Sequence, residues 1–176
     1  MAIFERAAGA RVDPSRDWGD FKLPIPDFDL GAMCFGGLAL GAPLESAAFL
    51  GRPDRLRWTE MDYFEMLYAA GGFQVDVEGG RLAYLAFFIG PDEFLPKHKP
   101  LAFSRPRLVG AGEGGAELVL SPEVGREQLE ELLGPPGSVD ADDDETVLYY
   151  RRGGVAMEFE LAPDGKLKRW NLYPAE

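Results

Sequence analysis

Apolar and polar residues alternate most regularly near the end of the chain. In "VAMEFEL", Val155, Met157, Phe159 and Leu161 alternate with Ala156, Glu158 and Glu160, the period of a half-buried strand. "VLYYRRGG" before it reads as a strand ending in a glycine turn, "APDG" as a hairpin turn, and "KLKRWNLY" as the closing strand of a meander. An earlier stretch has the same grammar: "FEMLYAAGG", "FQVDV", the turn "EGG" and "RLAYLAFFI". A helix is predicted ahead of each set. In "SPEVGREQLEELLG", Ser121 is the expected N-cap, Pro122 and Glu123 suit the first turn, and Val124, Leu129, Leu132 and Leu133 form the apolar stripe. Gly125 weakens the first turn and moves the regular start toward Arg126, while Gly134 and two prolines stop the helix. "PLESAAFL" plays the same part between Pro43 and Gly51.

These parallels fall in order. Leu50-Gly51-Arg52-Pro53 precedes Leu133-Gly134-Pro135-Pro136 by 83 positions, "YAAGG" at Tyr68 precedes "YRRGG" at Tyr150 by 82, and Glu78–Phe88 precedes Pro163–Tyr173 by 85. "GGLALGAP" from Gly36 is matched by "GGAELVLSPE" from Gly114. The expectation is an α+β fold built as a tandem repeat. Residues 1–19 form a tail, 20–96 a first unit and 97–176 a second, each with one or more helices followed by about three antiparallel strands. The helices are expected on one face of the sheet, with the other face open.

A helix ended by Leu-Gly-x-Pro, an aromatic strand, a Gly-Gly turn and a hairpin closed by Asp-Gly-Lys resemble the β-lactamase-inhibitor-protein fold. The same half-motif is similar to the small outer-membrane assembly lipoprotein (SmpA/OmlA) domain, which uses one copy. The resemblance spans residues 36 to 173 and implies two helix-on-sheet units presenting a sheet face to a protein partner. The chain departs from these families in having one cysteine and hence no disulfide pair within it, and no signal peptide is expected from its first residues.

Charge narrows the partner. Thirty acidic against eighteen basic side chains give −12, which repels nucleic acid and favours a basic protein. No run is long and apolar enough to span a bilayer as a helix, and a cytoplasmic location is expected. Catalytic chemistry finds little footing. The single His98 lies between Lys97 and Lys99, and Cys34 has no base in its vicinity. "DADDDE" (Asp140–Glu145) starts like a calcium loop, but Glu145 stands where glycine is needed and Arg151 where the bidentate glutamate belongs. "GAGEGGAE" (110–117) lacks the lysine of a phosphate loop. Glu158 and Glu160 share one side of a strand and read as its solvent phase. Neither an enzyme, nor a metal site, nor a cofactor is expected.

The offset of 85 assigns the faces. It pairs Leu85 with Trp170 and Phe87 with Leu172 in the core phase, and Tyr84 with Arg169 and Phe88 with Tyr173 in the other. Tyr84, Phe88, Tyr149, Arg169 and Tyr173 are therefore the predicted partner anchors, with Asp76 and Glu158 setting charge. The functional expectation is a non-enzymatic protein-binding module, an inhibitor or immunity-like protein for a basic partner. The alternative is a scaffold subunit that self-associates through the same face.

Overall fold

The computed structural model describes residues 11–110 and 115–175. Most of the expected tail (1–10) and the centre of the glycine-rich stretch (111–114, including Gly114) lie outside the described residues. Three two-residue strands come first: β1 (Phe28–Asp29), β2 (Cys34–Phe35) and β3 (Leu38–Ala39). A 3-10 helix over Leu44–Leu50 precedes β4 (Arg55–Trp58), β5 (Tyr63–Tyr68), β6 (Phe73–Glu78) and β7 (Arg81–Phe88). Then come β8 (Arg107–Val109), β9 (Leu118–Val119) and the helix α1 (Arg126–Leu133). The chain finishes with β10 (Ser138–Ala141), β11 (Thr146–Arg152), β12 (Val155–Leu161) and β13 (Leu167–Pro174).

The α+β expectation is overturned: the fold is mainly β. Among the described residues thirteen strands form two sheets, and helix is confined to one 3-10 segment of 7 residues and one α-helix of 8. The physical reason is local. Gly125 and Gly134-Pro135 leave room for only two turns of α1, and the first helix tightens so that Leu44, Ala47 and Leu50, three apart, share its buried side. Ser121 does not cap α1, since its hydroxyl donates to Glu123; Gln128 Oε1 instead accepts from Gly125 N at 3.0 Å. The layer over the large sheet is chiefly the small sheet, ordered β3-β2-β1-β8-β9, with β1 and β8 parallel. The helix-on-sheet units implied by the β-lactamase-inhibitor-protein resemblance are thus not the architecture.

The large sheet runs β10-β11-β12-β13-β7-β6-β5-β4 with every neighbour antiparallel. Its strand order reads the same outward from the β13–β7 seam. There Leu172 pairs with Leu85, Asn171 with Ala86, Trp170 with Phe87 and Arg169 with Phe88. Exchanging each residue for the one 85 positions away swaps Trp170–Phe87 with Leu172–Leu85 and returns Asn171–Ala86 to itself, so a pseudo-twofold passes through Ala86 and Asn171. The two helix stops obey the same relation. Gly51 (φ 80°, ψ −175°) and Gly134 (φ 82°, ψ −175°) have nearly identical backbones. Tyr68 Oη donates to the Gly51 carbonyl at 3.0 Å and Tyr150 Oη to the Gly134 carbonyl at 3.2 Å. Each Leu-Gly-x-Pro is therefore a turn that hands its free carbonyl to a strand tyrosine.

The core lies between the two sheets. Trp170, fully buried, stacks on Phe87 (5.0 Å) and Phe159 (5.5 Å) and meets the edge of Phe28 at 4.9 Å, which joins the seam to β1. Leu85, Phe87 and Leu172 point the same way.

Candidate functional site

Because side chains alternate, the seven predicted anchors all fall on the outer side of the large sheet, away from the small one. Tyr149 opposes Glu158 across β11 and β12, Glu158 opposes Asn171, and Asp76 opposes Tyr84. Sharing a side does not make them one open surface. The connection from β7 to β8 crosses this side, and Leu95 and Leu101 pack on Leu67, Ala69, Ala86 and Phe88. The expectation of an uncovered face is corrected accordingly, and so are three anchors. Phe88 is only 4% exposed under that segment. Arg169 is committed within the chain: it pairs with Asp92 of the crossing segment, and its Nε lies 3.9 Å from Glu160. Asp76, expected to set surface charge, is 5% exposed.

Asp76 accepts from Tyr63 Oη at 2.6 Å and Gln74 Nε2 at 2.8 Å. Burial still dominates and pushes its carboxyl up to about 6, against the lowering effect of those two donors. Nearby, Arg57 grips Glu65 with two bonds of 3.0 and 2.9 Å. Between these side chains and the crossing segment lies a cavity of about 460 Å³, with Arg55, Lys97, Tyr84 and Phe94 among its walls. Tyr84, half-buried, belongs to this half of the face and lines the cavity beside the crossing segment.

Three anchors remain together at the other end. Tyr149, Glu158 and Tyr173 are each half-buried, and Tyr173 Oη donates to Glu158 Oε1. That bond, helped by burial, pushes the Tyr173 hydroxyl up to about 12. Tyr149 and Tyr173 flank a cleft of about 540 Å³ with Ala156 in its wall and Ser138 of the edge strand at its rim. Asp140 on β10 opposes Val147, and Val147 opposes Glu160, so Asp140, Glu158 and Glu160 share this side with Arg151, which lines the cleft.

The remaining sequence candidates separate. Cys34 sits in β2 on the inner side, while His98 lies in the crossing segment on the outer side, so the large sheet stands between them. "DADDDE" splits between β10 and a tight hairpin turn in which Asp142 Oδ1 accepts from Asp144 N and Glu145 N. Those two donors hold the Asp142 carboxyl below its ordinary value. Among the described residues no three His, Cys, Asp or Glu side chains are grouped to hold a metal ion, and no helix is long and apolar enough to cross a membrane. Sequence reasoning missed the crossing segment. Its signal was faint: Phe94-Leu95 and Leu101-Ala102-Phe103 in "FLPKHKPLAF" are too short to show a period and are separated by prolines and lysines.

No family model matches the chain, and no curated protein matches it. Among solved structures it is similar to a DUF4309 family protein, YjgB, from Bacillus subtilis subsp. subtilis str. 168. That likeness has a TM-score of 0.49 and 17% identity over 80% of this chain and 84% of the other.

Proposed function

We propose that the chain is a non-enzymatic protein-binding module whose contact surface is the uncovered end of the outer sheet face, at Tyr149, Glu158 and Tyr173. The observation that carries this reading is the cleft of about 540 Å³ between the two tyrosines. Aromatic walls with a polar hydroxyl supply large contact area at low entropic cost, and tyrosine is enriched among residues that dominate binding energy. The chain's charge of −12 favours a basic partner and steers its approach.

Site-specific incorporation of a photo-crosslinking amino acid in place of Tyr173 tests the reading, with the same probe at Met61, an exposed residue outside the cleft, as control. The expected result is one heterologous, basic protein crosslinked through position 173 only, and less of it as salt rises. Equal capture from both positions would refute the reading. Capture of a second copy of this chain would replace it with self-association.

A further inference from the structure

The cavity of about 460 Å³ between the sheet and the crossing segment has the size of a small-molecule site, typically ~300 to 1,000 Å³. Its walls are held from both sides. On the sheet, strand register sets Arg55, Leu67, Gln74 and Ala86 in one row and Arg57, Glu65, Asp76 and Tyr84 in the next. The crossing segment is tied down around it. Ala102 N donates to the Ala69 carbonyl at 2.8 Å and Ser104 N to the Phe88 carbonyl at 2.7 Å. Asp92 pairs with Arg169, and Leu95 packs on the patch that contains Ala86 and Phe88.

The lining reverses the charge of the chain. Arg55, Arg57, Lys97 and Arg169 face a single carboxylate, Glu65, in a protein of 30 acidic and 18 basic side chains. Two of these cations are already answered, Arg57 by Glu65 and Arg169 by Asp92 and Glu160. Asp76, the nearest further acid in the register, is held by Tyr63 and Gln74, and burial favours its neutral form. Arg55 and Lys97 remain. Among the described residues neither has a carboxylate within ion-pair distance. They come from opposite walls, and Arg55 Nη1 lies 3.5 Å from the Lys97 carbonyl, so the two residues adjoin at one end of the cavity. Two neighbouring cations without a counter-charge favour an anion between them.

The rest of the lining matches an apolar body better than a bare ion. Ala86 and Phe88 on the sheet face Phe94 and Leu95 on the segment, and Phe94 is a large apolar ring left 70% exposed beside the cavity. Burial holds the Tyr84 hydroxyl above its ordinary pKa, so it stays protonated and can donate. We propose that this cavity binds a small organic carboxylate with an apolar body. The carboxylate lies between Arg55 and Lys97, where a guanidinium can meet it with two parallel hydrogen bonds, and the body lies against Phe88, Phe94 and Leu95. The site is separate from the cleft between Tyr149 and Tyr173 and needs no protein partner.

Hydrocinnamate and isocaproate, carboxylates with an aromatic and a branched aliphatic body, titrated into the full chain by isothermal calorimetry up to about 10 mM test the proposal. Saturable one-to-one binding of at least one is expected. Hydrocinnamyl alcohol and inorganic phosphate each lack half of the chemistry and should bind about tenfold more weakly or not at all. Arg55→Gln together with Lys97→Gln should weaken the carboxylate about tenfold or more, and Phe94→Ala about threefold. Lys166→Gln, at an exposed cation outside the cavity, should leave affinity unchanged. Thermal melts separate lost binding from lost fold. If the double variant unfolds, Lys97→Gln alone, at an exposed position, carries the same test with a loss of about threefold. Failure of both carboxylates to bind saturably, equal affinity for the alcohol, or indifference to the loss of Arg55 and Lys97 would overturn the proposal. Phosphate binding as tightly as hydrocinnamate would overturn it too, since the apolar walls would then contribute nothing.

Discussion

Alanine at Gly72 and alanine at Gly154 form a matched pair that weighs the crossing segment. Both positions hold positive φ, so each substitution carries the strain of an L-residue in the left-handed region, about 1 to 2 kcal/mol. Only at Gly72 does the new methyl meet backbone, at 2.3 and 2.5 Å, distances that no Cβ tolerates. Residues 102–104 must then lift away. Two backbone hydrogen bonds go with them, at about 1 kcal/mol each, and Leu101 leaves its apolar patch, at about 1 to 2 kcal/mol. Urea denaturation should therefore show Gly72→Ala less stable than Gly154→Ala by about 2 to 4 kcal/mol, with Gly154→Ala itself losing no more than about 2. Equal losses, within about 0.5 kcal/mol, would refute the assignment of one end as covered and the other as vacant.

Other consequences are more local. Trp170→Ala should cost about 3 to 5 kcal/mol, because a fully buried ring packed by Phe28, Phe87 and Phe159 leaves a cavity; Tyr173→Ala should cost under about 1 kcal/mol by the same denaturation. Asp76 has a folded pKa of about 6 against an ordinary 3.8, so the fold prefers its protonated form. Its stabilising contribution is present below about pH 4 and is lost as pH rises through 6, a change on the order of 3 kcal/mol. Asp76→Asn should remove that part of the pH slope, and parallel stability curves for parent and variant between pH 4 and 7 would contradict it. Tyr68→Phe and Tyr150→Phe should each lose about 1 kcal/mol by orphaning the Gly51 and Gly134 carbonyls, which thermal melts can compare directly.

The long strands were legible because their alternation is strict: Val155, Met157, Phe159 and Leu161 are buried and Glu158 and Glu160 are not. The helix stops were legible because glycine followed by proline permits little else. The fold class was misread because strands of two or three residues, such as Phe28–Asp29 and Leu118–Val119, are too short to show a period. The edge strand Ser138–Ala141 is exposed at every position and sits beside an acidic tract that reads as loop. Alternation placed Asp76 and Phe88 on the outer side but carried no information about what lay above them. Burial of that patch comes from residues 91–106, whose prolines erase any pattern, and from Arg169 closing on Asp92 across 77 positions.

The account turns on whether partner contact is made at Tyr149, Glu158 and Tyr173. The most direct measurement is the dissociation constant of the protein captured through position 173, for the parent chain and for Tyr173→Ala, beside their unfolding midpoints. The account predicts a loss of about 30-fold in affinity, on the order of 2 kcal/mol, with stability changed by less than about 1 kcal/mol. Unchanged affinity, or a loss matched by unfolding of the variant, would contradict it.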